Sequence, residues 1–194
     1  MSVNVKPING NWSQGFALDK HTLKSEYIGD DEHGHPQFNT TRTDAGEAVY
    51  QLKYQGNARH AKRLAAAVQK HILPLFSEVI HIIVPMPASN ARRVQPVSLI
   101  ANELGALTGL TVVHDLLVKT PNGVSLKNLN TLQEKLQALN GTMSINQSLT
   151  GAGPFNVLVV DDLFDSGASM QVATQTLKGY AKIGNVFIAA MTWK

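Results

Sequence analysis

Apolar residues first settle into a helical rhythm at Ala61, Leu64, Ala65, Val68, Ile72 and Leu75, with basic residues between them. Steps of three and four place them on one helix face, which predicts an amphipathic helix ending near Pro74. Residues 79–84, Val-Ile-His-Ile-Ile-Val, are β-branched and bounded by Pro85 and Pro87, so a short and largely buried strand is expected there. Val97, Ile100, Ala101, Leu104 and Leu107 restore the helical period as far as Gly109, and residues 110–113 can form another strand. The polar stretch 115–150 holds one expected helix, around 131–139, and Gly-Ala-Gly-Pro at 151–154 breaks the chain. The strongest strand signal is at 155–160; a loop over 161–169, a helix to about residue 182 and a last strand over 186–191 follow. Strands alternating with helices through short loops predict an α/β domain, a mainly parallel sheet flanked by helices.

Residues 1–48 show neither period for long and are rich in Gly, Asn, Asp, His and Thr; they predict a small irregular or β-rich appendage to a domain over 49–194. A chain of 194 residues has room for one main core. No apolar run approaches the length of a membrane span, and residues 1–7 lack the charged-then-apolar pattern of a secretory leader, so a cytoplasmic location is expected. The formal charge of +3 is too small to argue for nucleic acid by itself. The absence of cysteine removes disulfides, thiolate zinc sites and Cys nucleophiles, leaving oxygens and histidines as metal ligands.

Candidate chemistry concentrates at 161–169, Asp-Asp-Leu-Phe-Asp-Ser-Gly-Ala-Ser. Ligands of open parallel sheets bind beyond the carboxyl ends of the strands, which is where Asp161 and Asp162 fall. Gly167 allows the backbone to approach a ligand, and Ser166 and Ser169 offer hydroxyls. With Asp165 and Ala168 they lead into a helix whose first amides suit a phosphate. Paired carboxylates just upstream can accept hydrogen bonds from vicinal hydroxyls or help to position hydrated Mg2+. Phosphate beside diol describes a phosphorylated ribose. The bland alternative makes the acids helix caps and the glycine a turn.

An apolar strand, two acids, two apolar residues, Asp165 and then Ser-Gly-Ala-Ser resemble the phosphoribosyl pyrophosphate (PRPP) signature of the type I phosphoribosyltransferases. Leu52-Lys53-Tyr54-Gln55-Gly56, and Val84-Pro85-Met86-Pro87 followed by Arg92 and Arg93, are similar to the ComF-like, GntX-like branch. The likeness covers about residues 50–194. It departs from that branch in lacking the cysteines of an N-terminal zinc ribbon, in Arg93-Val94-Gln95-Pro96, and in Gln137-Ala138-Leu139-Asn140.

The resemblance implies binding of PRPP with Mg2+ and displacement of pyrophosphate by a nitrogenous acceptor, a purine-like base being one candidate, whose identity stays open. Asp161 and Asp162 would hold the ribose, residues 165–169 the phosphate, and Arg92 or Arg93 the pyrophosphate. Asp165, shared with purine phosphoribosyltransferases, would lie near the acceptor ring or else cap the helix. Lys119, Lys127 and Lys135 would belong to a closing hood, and a homodimer is compatible with the reading. Two rivals remain: a non-catalytic PRPP or nucleotide sensor, including an accessory protein in DNA handling, and a scaffold that docks partners through residues 1–48. His33 and His35 beside Asp30, Asp31 and Glu32 read as a hydrated acidic turn in preference to a metal site.

Overall fold

The computed structural model describes residues 1–88 and 95–194, without the side chain of Lys127. In chain order the elements are β1 (Lys6–Pro7), β2 (Gln14–Lys20), β3 (Thr22–Asp30), β4 (Pro36–Arg42), α1 (Asp44–Tyr54), α2 (Arg59–His71), β5 (Ile82–Pro85) and α3 (Pro96–Thr108). They continue as β6 (Thr111–Val112), β7 (Leu117–Lys119), α4 (Leu132–Leu139), β8 (Met143–Ile145), β9 (Phe155–Phe164), α5 (Ala168–Lys178) and β10 (Ile183–Trp193). A six-stranded sheet runs β1-β2-β10-β9-β5-β6, parallel throughout except for the β1 edge.

Side chains alternate across this sheet with period two, and each face has its own core. Leu158 and Val160 of β9, with Phe187, Ala189 and Met191 of β10, pack under α1, α2 and α3. Val157 and Val159, with Val186, Ile188 and Ala190, pack against α5 and the segment carrying β7 and β8. Burial on both faces explains why these strands read as continuous apolar runs. Among the described residues no helix is long and apolar enough to cross a membrane.

The expected helices and strands fall in place, with shifted ends. The helix expected to end near Pro74 ends at His71 and Leu75 is exposed, because a 3-10 turn over Leu73–Leu75 turns the chain away. The strand expected over 79–84 starts only at Ile82, and Val79 is 74% exposed. α5 stops at Lys178, where the backbone N–H of Gly179 closes the last turn.

Residues 1–48 do not form one appendage. β2 lies in the main sheet beside β10, with Leu18 in one core and Ala17 in the other. β3 and β4 form a separate two-stranded antiparallel ribbon. α1 was not expected: its buried stripe is Ala45, Gly46, Ala48, Val49 and Leu52, too small to mark an apolar face in sequence. Gly46 is required because a Cβ there would lie 2.0 Å from the carbonyl oxygen of His21. Thr43 caps α1 by accepting the Gly46 N–H and donates its hydroxyl to the Lys20 carbonyl at 2.6 Å.

Candidate functional site

β9 is longer than its apolar run suggests. β10 pairs with it as far as Trp193↔Phe164, so Asp161 and Asp162 are strand residues and the loop proper begins at Asp165. Consecutive strand residues face opposite sides, which separates the two carboxylates. Asp162 meets Lys53, at the end of α1, with Nζ to Oδ2 at 2.7 Å and side-chain exposures of only 25% and 13%. The Asp162 carbonyl accepts the Thr192 hydroxyl at 2.9 Å, and that oxygen lies 3.1 Å from Nδ1 of His21. Since the Thr192 proton is committed to Asp162, His21 donates from Nδ1. Burial, with Arg42 next, holds the His21 pKa below its ordinary value, consistent with a neutral ring.

Asp161 is partly accessible along the cavity wall, but protein surrounds its carboxyl group. Burial first, and the neighbouring Asp162 charge second, push its pKa up to about 8, despite the Asp162 N–H it accepts at 2.8 Å. Lys53 and Lys119 pull the other way without offsetting the burial. Burial also lowers the pKa of Lys119, against the pull of Asp161. Both carboxylates and both lysines line one cavity of about 610 Å³.

Beyond β9 the chain turns sharply at Gly167, whose φ of 77° is open to glycine at little cost. A Cβ at this position would approach Cε2 of Phe164 to 2.9 Å. Gly167 is the N-cap of α5 and no side chain caps the helix. Its first-turn amides lack intrahelical acceptors and point a partial positive charge outward. Asp165, Ser166, Gly167, Ala168 and Ser169 line a second cavity of about 210 Å³, joined by Lys135 and Lys194. The two cavities share Asp161, Leu163 and Ser169 in their walls. The glycine turn and the paired acids thus lie along two adjoining cavities.

Across this loop, Lys135 of α4 reaches Asp165, with Nζ to Oδ2 at 3.1 Å. A capping box between Thr131 and Glu134 starts α4 and fixes the position of Lys135 one residue later. Of the three lysines expected in a hood, Lys119 and Lys135 do reach the cavities; the Lys127 side chain lies outside the described residues. Pro85, Met86, Pro87 and Ala88 form a further wall of the larger cavity. Arg92 and Arg93, expected at the pyrophosphate, lie outside the described residues.

His114 and Asp115 also line the larger cavity and were not singled out in the sequence. They follow β6, so the rule that placed the site at the end of β9 would have found them at the end of this strand too. His114 Nε2 lies 2.6 Å from Oδ1 of Asn102, while Asp115 accepts from Asn146 at 3.1 Å and Ser148 at 3.2 Å. Lys53 was legible only as part of a motif; its pairing with Asp162 depends on α1. His33 and His35 form no metal centre: Asp31 accepts both of their backbone N–H groups at 2.9 Å in the exposed turn between β3 and β4. Among the described residues no group of three metal-ligating side chains occurs.

No family model and no curated protein matches the chain. Solved structures do match. Adenine phosphoribosyl transferase from Trypanosoma brucei, in complex with AMP, pyrophosphate and ribose-5-phosphate, aligns at 11% identity over 98% of this chain and 74% of its own, with a TM-score of 0.50. The fold is that of the type I phosphoribosyltransferases. The adenine phosphoribosyltransferases of Saccharomyces cerevisiae, complexed with an imino-altritol bisphosphate and adenine, and of Thermoanaerobacter pseudethanolicus are also similar. The first aligns at 16% identity over 87% of this chain and 84% of its own with a TM-score of 0.47, and the second at 15%, 88%, 95% and 0.45. Within this fold, the two acids stand at the carboxyl end of a central strand and the glycine turn opens the following helix.

Proposed function

We propose that this protein binds PRPP with Mg2+ and transfers its phosphoribosyl group to a nitrogenous acceptor, releasing pyrophosphate. One observation carries the reading: the uncapped, glycine-opened N-terminus of α5 and the Asp161–Asp162 pair line two cavities that share wall residues. The amides of 166–169 and the Ser166 and Ser169 hydroxyls take the 5-phosphate, and Lys194 adds positive charge. Asp162, held by Lys53, accepts a ribose hydroxyl; Asp161, whose proton burial holds more tightly, can also donate to one. The walls of the larger cavity at 85–88 and at His114 and Asp115 flank the space left for pyrophosphate. The similarity of Leu52-Lys53-Tyr54-Gln55-Gly56 to the ComF-like branch gains a physical sense, since its lysine orders the ribose-holding acid. A cytoplasmic location fits such a substrate.

In the reaction, the C1–O bond to pyrophosphate breaks, a C1–N bond to the acceptor forms, and the acceptor nitrogen loses a proton. Asp165 lines the phosphate cavity with its carboxylate half-exposed and is the group assigned to that proton. Catalysis by the chain is chiefly positioning and charge neutralisation. The residues fit Mg2+ brought in on the substrate: Asp161 and Asp162, hard oxygen donors lining the larger cavity, would be the ones to hold it. Bound there beside Asp161 and Asp162, Mg2+ would neutralise the leaving pyrophosphate.

Titration calorimetry of PRPP and Mg2+ into the wild type and into Asp161→Asn/Asp162→Asn, followed by pyrophosphate-release assays with a panel of bases, tests this. Binding that disappears in the double variant, with release in the presence of one base, is the expected result. Absence of binding of PRPP, ribose 5-phosphate and nucleotides by the wild type refutes it. A second reading is a regulator that binds PRPP without turnover. The Lys135–Asp165 pair favours it, because the pair engages the carboxylate that would move the proton. Tight binding without release by any base would select that reading.

A further inference from the structure

A third cavity, of about 370 Å³, lies between α4 and α5 and plays no part in the proposed reaction. Its size falls within the ~300–1,000 Å³ of small-molecule sites. Leu136 of α4, Val172 of α5 and Met143 of β8 give it apolar surface. Facing one another across that surface are Gln137 and Asn140, one turn apart at the end of α4, and Gln171 and Gln175, one turn apart on α5. None of the described residues that line the cavity is charged.

Glutamines scattered over a helix surface are ordinary solvated groups, but here four carboxamides converge on one cleft. Among the described residues none of the four side chains hydrogen-bonds to another group of the chain. The adjoining wall is also short of a donor. Asn11 gives its Nδ2 proton to the Gln171 carbonyl at 2.9 Å, while its Oδ1 is shut off from water and accepts nothing. Buried acceptors are nearly always paired, so this one marks a gap in the chain's own bonding.

A carboxamide sets a donor beside an acceptor in one plane, which matches a heterocycle edge where a ring nitrogen stands next to an exocyclic amine. The apolar surface suits the face of such a ring, and the Met143 thioether favours aromatic neighbours. A phosphate-bearing ligand does not fit, because it would lose hydration in the cleft without meeting a cation there. We propose that the cleft between α4 and α5 binds an uncharged nucleobase with an adenine-type edge, at a site separate from the cavities assigned to phosphoribosyl transfer. α4 buries only Leu139, so a base wedged against α5 would tie it down. Met143 stands in the walls of both this cleft and the larger cavity, so the two sites share a side chain. This inference does not rest on the transfer reaction.

Titration calorimetry of adenine into the full chain, without PRPP, tests it. The expected dissociation constant is ~10–100 μM. It should change less than ~2-fold between about 0.1 and 1 M NaCl, because no charge is engaged. Gln137→Glu/Gln175→Glu keeps the shape of two exposed side chains and removes their amide donors. It should bind adenine at least ~10-fold more weakly while melting within ~2 °C of the wild type. Asp161→Asn/Asp162→Asn should bind adenine as the wild type does, and adenine should slow exchange of the α4 amides several-fold. A wild type that binds none of adenine, cytosine and hypoxanthine at about 5 mM overturns the inference. So does binding lost in the aspartate variant and kept in the glutamine variant, which would put the base in the larger cavity. Glucose bound with the same sensitivity to the glutamine variant would replace the nucleobase by a polyol. Adenine bound as expected by a chain that does not bind PRPP would refute the transfer reaction and leave this site standing.

Discussion

At the end of β9 the two sides of the sheet receive negative charge differently. On the α1 side Asp162 finds Lys53 at 2.7 Å and its charge is matched. On the hood side Asp161 is enclosed without a match of that quality and is pushed up to about 8. The residues are identical and adjacent; only the parity of the strand separates them. One side is therefore a matched ion pair and the other a buried carboxyl that holds its proton more tightly than usual. An active site at a strand end can acquire both kinds of acid from two consecutive codons, because the pleat assigns them to different environments.

Removing the buried carboxyl should have the largest effect on stability. A folded-state pKa raised above the unfolded value near 4 means that the native state binds a proton more tightly than the unfolded chain. Stability is then highest below pH 4 and falls as pH rises to about 8, by up to several kcal/mol. Asp161→Asn abolishes that slope: its melting temperature should match the wild type within ~2 °C at pH 4 and exceed it by ~5–10 °C at pH 9. Parallel wild-type and variant curves across this range would show that Asp161 ionises normally.

Breaking the matched side should move stability the other way. Lys53→Met leaves Asp162 little exposed and without its cation, at a cost of about 2–3 kcal/mol, or a melting temperature lower by ~4–10 °C at pH 7. Lys53→Met/Asp162→Leu removes both charges and should regain most of the loss, which a denaturant titration would measure. A smaller effect belongs to the turn between the two sides: Gly167→Ala must adopt a φ of 77° and press on Phe164, costing about 1–2 kcal/mol and lowering phosphate affinity at least tenfold by titration calorimetry.

The legible and illegible parts of this molecule divide along the same physical lines. β5, α3 and the start of β9 could be read because Ile, Val and Leu recur at the periods of elements buried on one or both faces. The turn at Gly167 could be read because glycine there carries a local conformational signal that needs no distant partner. α1 could not, since its buried stripe is mostly Ala and Gly, with Gly46 set by the close approach of His21. β2 could not, since two short strands, a tight link and a ribbon share few residues and only β10 gives β2 a place in the sheet. The pairing of Lys53 with Asp162 spans 109 positions and depends on α1, so sequence supplied the residues of this contact but not the contact.

The smallest effect tests how firmly the hood side is closed. Lys135 is 13% exposed and Asp165 is 53% exposed, so water screens the pair from one side. Lys135→Met should cost at most about 1 kcal/mol, which shifts the melting temperature by no more than ~4 °C. Its effect on exchange should be clearer than its effect on stability. α4 is eight residues long and buries only Leu139, so its amides should exchange with solvent several-fold faster in the variant. The amides of β9 should keep their wild-type rates, because their protection comes from β10 and β5 and not from the hood. Equal acceleration in α4 and β9 would mean that the pair supports the whole sheet, and the contrast between a matched α1 side and an adjustable hood side would fail.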